Sequence, residues 1–268
     1  MFKKIFIKSI ISILFFQAIN VFSQQIDSSN IEVKYKTTFL IDTANIYTKK
    51  EEITSLQIGK FSSLFKSNIK QLADSLSREY IKKSVDNPVN GKVVIKTGNL
   101  TYVEFIPEVF FTNSKFIIWD KILRNTYSFE TNEKIQWNLI NETKVISGYK
   151  CQKATGKYRN KEITAWYTKD IPIPEGPYTF KGLPGLVLEA YDSKDYFHFT
   201  LAGLKNVRKP ILPIEGGIKT TYEKFFKKRK EIMDDPLGSF FNSFGRSAPK
   251  DSEELIIKNI RSINNFLD

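Results

Sequence analysis

Residues Ile31-Glu32-Val33-Lys34-Tyr35-Lys36-Thr37-Thr38-Phe39-Leu40-Ile41 decide the fold class. Ile31, Val33, Tyr35, Thr37, Phe39 and Ile41 fall on one side of an extended chain, and mostly polar residues fall on the other. A period of two over eleven residues is the pattern of a long strand buried on one face only. The same alternation returns near residues 92–96, 101–106, 116–119, 126–129, 135–139, 147–154, 163–168, 186–191 and 196–204, which predicts about ten strands. The gaps between most of them are too short for helical crossovers, so hairpins and antiparallel pairing follow. Asn90-Gly91 and Gly98-Asn99 supply residues that tolerate positive φ. The strands around Cys151, Trp166, Leu188 and Phe199 are expected to be neighbours.

Three helical patterns accompany the strands. Phe65, Ile69, Leu72, Leu76 and Tyr80 recur at three- and four-residue steps after Ser62-Ser63, with Lys66, Lys70, Arg78 and Lys82 outward, so this helix should cover one face of the sheet. Residues 221–234 form the second helix: Thr220 and Glu223 have capping-box spacing, and Pro236 closes it. Residues 252–267 form the third, and 238–249 read as a loop between them. The fold class is thus mainly β (α+β): one extended, curved antiparallel sheet with a helix over one face and C-terminal helices from about residue 219.

Lys3, Lys4 and Lys8, the apolar run 10–16 and Val21-Phe22-Ser23 before Gln24 read as a signal peptide over residues 1–23, followed by a single domain over 24–268. Its removal takes three lysines and lowers the formal net charge from +12 to +9. The expected destination is periplasmic or secreted, with no transmembrane segment in the mature chain and no nucleic-acid partner. The basic run Lys227–Lys230 reads as a solvated helix face.

One His and one Cys in 268 residues exclude His- or Cys-rich metal centres and disulfide frameworks. Neither a metal nor a cofactor is expected. His198 reads as a sheet-face histidine, Cys151 as a small buried hydrophobe, Asp192 and Asp195 as turn residues, and Trp119, Trp137 and Trp166 as core aromatics. No carboxylate pair is singled out for catalysis.

The stretch after Ala165-Trp166-Tyr167 is dense in Pro and Gly: Asp170-Ile171-Pro172-Ile173-Pro174-Glu175-Gly176-Pro177, then Phe180-Lys181-Gly182-Leu183-Pro184-Gly185-Leu186-Val187. Such a run predicts a rigid crossing loop, with Leu183–Leu186 as a type II turn that needs positive φ at Gly185. Gly182-Leu183-Pro184-Gly185-Leu186-Val187, together with Gly148-Tyr149-Lys150-Cys151 and Ala165-Trp166-Tyr167, resembles the GLPGLI family of exported bacterial proteins. The resemblance implies export and a β-rich fold, and brings no catalytic residue.

Trp166, Tyr167, Pro177, Gly182, Leu183, Pro184, Gly185 and Leu186 are the candidate binding residues. Three functions are open: a binding or carrier module for an apolar ligand or peptide, a structural or assembly accessory of an outer-membrane protein, and a hydrolase. An open apolar pocket against the sheet favours the first, a filled core the second, and converging carboxylates in a polar cleft the third.

Overall fold

A computed structural model describes residues 27–86, 102–212 and 214–268. The expected signal peptide, the strand at 92–96 and the turns at Asn90-Gly91 and Gly98-Asn99 lie outside the described residues. The strands are β1 (Ser28–Leu40), β2 (Lys49–Ile58), β3 (Ser62–Ser67), β4 (Glu108–Thr112), β5 (Lys115–Ile122), β6 (Asn125–Thr131), β7 (Asn138–Ile146), β8 (Tyr149–Tyr158), β9 (Lys161–Thr168), β10 (Leu186–Asp192), β11 (Phe197–Pro210) and β12 (Ile218–Lys219). The helices are α1 (Asn68–Asp86), α2 (Tyr222–Asp234), α3 (Pro236–Phe244) and α4 (Glu253–Arg261).

All the strands join one sheet in the order β12-β6-β5-β4-β3-β2-β1-β11-β10-β9-β8-β7. Neighbours are antiparallel except β12, which runs parallel to β6, so the sheet is mixed. The decisive strand β1 lies between β2 and β11, and its alternate residues Val33, Tyr35 and Thr37 are wholly buried. The strands of Cys151, Trp166, Leu188 and Phe199 are consecutive neighbours, β8-β9-β10-β11. The β7–β8 turn places Ser147 at φ +50° and Gly148 at φ +86°, the geometry of a two-residue hairpin loop.

Directly paired residues share a face, so register separates the two sides of the sheet. Phe65, Val109, Ile118 and Phe129 line up across β3 to β6 on the inner face. There Phe65, Phe105, Phe180 and Phe199 meet edge to face at centroid distances of 5.9–6.1 Å. The C-terminal helices close this side: the Phe225 ring of α2 lies 5.1 Å from that of Phe129. Leu64, Phe110 and Trp119 occupy the outer face with Ile211, a small second cluster.

Five local expectations differ from the structure. Residues Ser62–Ser67 are not the start of a helix but a buried strand, because ladder partners on both sides, β2 and β4, outweigh helical periodicity. The helix begins at Asn68 and buries none of its residues; Leu72, Leu76 and Tyr80 are more than half exposed, so it does not cover the sheet with an apolar stripe. Of the strand expected at 101–106, the described residues 102–106 are not a strand: the Glu52 carboxylate accepts the N–H groups of Glu104 and Phe105 at 2.7 and 3.1 Å, in place of a ladder partner. The stretch expected to be a loop at 238–249 contains α3, whose N-cap Asp235 accepts from Gly238 N–H at 3.0 Å and which ends at left-handed Gly245. The N-cap of α2 is Thr221, one residue beyond the predicted Thr220.

Candidate functional site

The Pro-Gly segment, residues 169–185, joins β9 to β10 and turns inward. Leu183 and Leu186 are 1% and 0% exposed and belong to the inner core. Of the other candidate binding residues, Trp166, Tyr167, Pro177 and Gly185 are buried and only Gly182 and Pro184 reach the surface. The turn is not type II: Gly185 N–H donates to Leu183 C=O at 2.8 Å, a three-residue turn around Pro184, and Leu186 N–H goes to Ile171 C=O at 3.0 Å. Gly185 is required by close approach, since a Cβ there would lie 1.9 Å from the Thr168 carbonyl oxygen.

Polar groups pin this plug. Lys181 Nζ pairs with Glu175 and donates to Ser63 Oγ at 2.6 Å, which ties the loop to β3. Burial lowers the Lys181 pKa, against the attraction of Glu175. Trp137 Nε1 donates to Lys181 C=O at 2.8 Å, and the buried Tyr35 hydroxyl to Val187 C=O at 2.8 Å. The predicted binding residues other than Trp166, which faces the outer side with Glu189 and Lys144, thus come together, but as packing rather than as an open site.

The outer face is chemically different. Lys66 of β3 bonds Asp74 of α1 at 2.6 Å, Lys70 reaches Glu108 at 3.4 Å, and Gln71 Nε2 donates to Glu32 at 2.8 Å. The first two turns of α1 are therefore held on the sheet by polar contacts. Burial pushes the Glu108 pKa up, against the pull of Lys70 and Lys66. Its Oε2 is buried without a hydrogen-bond partner among the described residues.

Two clefts flank α1. One, of about 500 Å³, is lined by Lys70, Tyr102, Ile106, Glu108, Trp119 and Glu215 among others. The second, of about 420 Å³, lies on the side of β1 and β11 and is lined by Leu64, Lys66, Leu72, Arg78, Lys209 and Leu212 among others. Asp120 also borders the first cleft, and burial raises its pKa to about 6, against the pull of Arg229. Yet Asp120 pairs with Tyr127 in register and meets Arg229 of α2, on the inner side. Glu108 pairs with Trp119 on the outer side, so the two carboxyl groups whose pKa values burial raises do not converge.

A third polar cluster lies on the outer face of β9 to β11. His198 Nδ1 meets Asp195 Oδ1 at 2.6 Å, its Nε2 meets Glu189 Oε1 at 2.9 Å, and Glu189 also pairs with Lys144. The Lys144 ammonium sits 4.4 Å from the Trp166 ring centroid. Hydrogen bonding to Glu189 is foremost in raising the His198 pKa. Asp192 instead anchors its turn, accepting from Phe197 N–H at 2.7 Å. No group of three potential metal ligands occurs among the described residues.

The cleft residues escaped sequence reading because they come from β3, α1, β4, β5 and the segment after β11. Lys66 fits a helix face in the sequence pattern but lies in strand β3. The one sequence signal was the group of basic residues Lys66, Lys70 and Arg78.

A family profile described as "Protein of unknown function (Porph_ging)" matches residues 157–189, the stretch containing the Gly182–Val187 motif. An uncharacterised family is consistent with the resemblance read from that motif. No curated protein matches the chain. Among solved structures, PNGF-II is similar in its P21 and C2 crystal forms, each with a TM-score of 0.47 and 15% identity. The alignments cover 75% and 74% of this chain but 33% and 32% of those chains, so it spans about a third of their length. Likeness at this level carries no activity across.

Proposed function

We propose that the chain is an exported binding protein whose ligand surface is the outer face of the sheet around α1. The observation that carries this reading is the contrast between the two faces. The inner face is filled by Leu183, Phe180, Phe199 and the C-terminal helices, whereas both described clefts open beside α1. Carriage of an apolar molecule inside the sheet is disfavoured, because the space it would use is occupied by the Pro-Gly plug. The buried Glu108 Oε2, which accepts no hydrogen bond among the described residues although Lys66 Nζ lies 3.8 Å away, and the clefts of a few hundred Å³ suit a ligand that brings hydrogen-bond donors as well as apolar surface.

Native mass spectrometry of protein purified from its own envelope, followed by hydrogen exchange with and without the retained mass, tests the reading. A retained ligand that protects residues 62–80 and 104–110 is expected. Protection confined to residues 176–187, or no retained ligand, overturns it; the second outcome favours an accessory role.

A further inference from the structure

We infer that the cleft between α1 and the β1–β11 side of the sheet binds a single-chain anionic amphiphile, a molecule with a carboxylate or phosphate head and one apolar tail. The inference rests on the outer face being the ligand surface and names the ligand class for one of its clefts. Its lining includes three cationic side chains, Lys66, Arg78 and Lys209, and no carboxylate. The nearby acids are already satisfied: Asp74 by Lys66 at 2.6 Å, and Glu32 by Lys205 at 3.1 Å and Gln71 at 2.8 Å. Arg78 and Lys209 take part in no ion pair among the described residues, beyond the longer-range pull of Lys209 on Glu32.

Two free cations at the rim of a neutralised floor select an anionic head. The Arg guanidinium suits the planar geometry of a carboxylate or phosphate. The rest of the lining is four apolar residues and the polar Gln57, Gln71 and Ser75, of which Gln71 already donates to Glu32 and Ser75 to the Gln71 carbonyl. Leu64, from the small outer cluster, forms the floor, and Leu72, Pro210 and Leu212 form the walls. Leu72 is 57% exposed, an apolar group on a helix that otherwise holds the sheet through polar contacts. A volume of about 420 Å³ accommodates one chain rather than a bilayer patch. Head and tail are therefore recognised by different walls of one cleft, and neither alone suffices.

The test is titration calorimetry of the full mature chain with decanoate below its micelle concentration, beside octanoate, decanol, inorganic phosphate and phosphatidylglycerol vesicles. Decanoate is expected to bind, with octanoate roughly fifteen-fold weaker, since two methylenes contribute about 0.8 kcal/mol each. Arg78→Glu/Lys209→Glu should weaken decanoate at least about ten-fold. Both residues are exposed, so an unchanged thermal melt will show the fold intact. Lys157→Glu, on β8, should leave binding as it was. Decanol binding as tightly as decanoate, phosphate binding as tightly as either, or binding to vesicles without binding of monomeric decanoate overturns the inference. If that happens while a retained ligand still protects residues 62–80, the outer-face reading stands and only the ligand class falls.

Discussion

Lys181 and Glu175 form a buried ion pair within the Pro-Gly loop, six residues apart, and Lys181 carries the link on to Ser63 in β3. The loop is thereby fastened to a strand more than a hundred residues earlier in the chain. Its carbonyl at Lys181 and its continuation at Val187 are also taken, by Trp137 and Tyr35.

Removing one partner of this pair should cost more than removing both. Lys181→Met leaves the Glu175 carboxylate without its counter-ion in a largely buried position, and a loss of about 3–5 kcal/mol is expected. Lys181→Met/Glu175→Leu should recover most of that loss. Urea unfolding of the two single variants and the double variant measures the coupling; additive losses would show that the pair does not act as a unit.

Leu183 should behave as core. Leu183→Ala is expected to lower stability by about 2–5 kcal/mol while leaving ligand binding at the outer face unchanged. Gly185→Ala should also destabilise, because its Cβ would press on the Thr168 carbonyl. Denaturant midpoints check both, and a Leu183→Ala protein as stable as wild type would contradict the plug.

His198 should make stability depend on pH. Its folded pKa is raised above 6.5, foremost by Glu189 and also by Asp195. The stabilisation is therefore full below the unfolded value and is lost as pH rises through the folded value. For Glu189, burial disfavours ionisation but hydrogen bonds from His198 and Lys144 outweigh it, so its pKa is lowered and its contribution is lost as pH falls through the folded value. Melting temperatures from pH 4 to 9 should decline on the alkaline side in wild type and flatten there in His198→Gln; identical profiles would remove the histidine from the account.

Arg229 joins α2 to two acids, bonding Asp268 through Nη1 at 2.6 Å and Nη2 at 3.2 Å and reaching Asp120 at 3.5 Å. Arg229→Met should cost about 3–5 kcal/mol near neutral pH, because both carboxylates then lie buried without a cation. The loss should shrink below pH 6 as Asp120, with a pKa already near 6, takes up a proton. Chemical unfolding of the variant at pH 5 and pH 7.5 measures the difference, and an equal loss at both would show that Asp120 is not involved.

The sequence by itself determined the one-sided strand at 31–41, the order β8 to β11 and the position of the Pro-Gly loop. Each rests on local alternation or on the φ limits of Pro and Gly, which need no distant partner to be read. It did not determine that Ser62–Ser67 is a strand: Phe65 fits a helical period with Ile69 and Leu72, and only pairing with β2 and β4 excludes the helix. Nor did it distinguish an exposed binding loop from a plug, because Leu183 and Leu186 are equally apolar in both and only their burial in one core with Phe180, Phe199 and Tyr35 decides. The clefts beside α1 were wholly a tertiary matter. Arg78 and Lys209 come to one rim above Lys66 only because the sheet brings β3 and the end of β11 to the same side of α1.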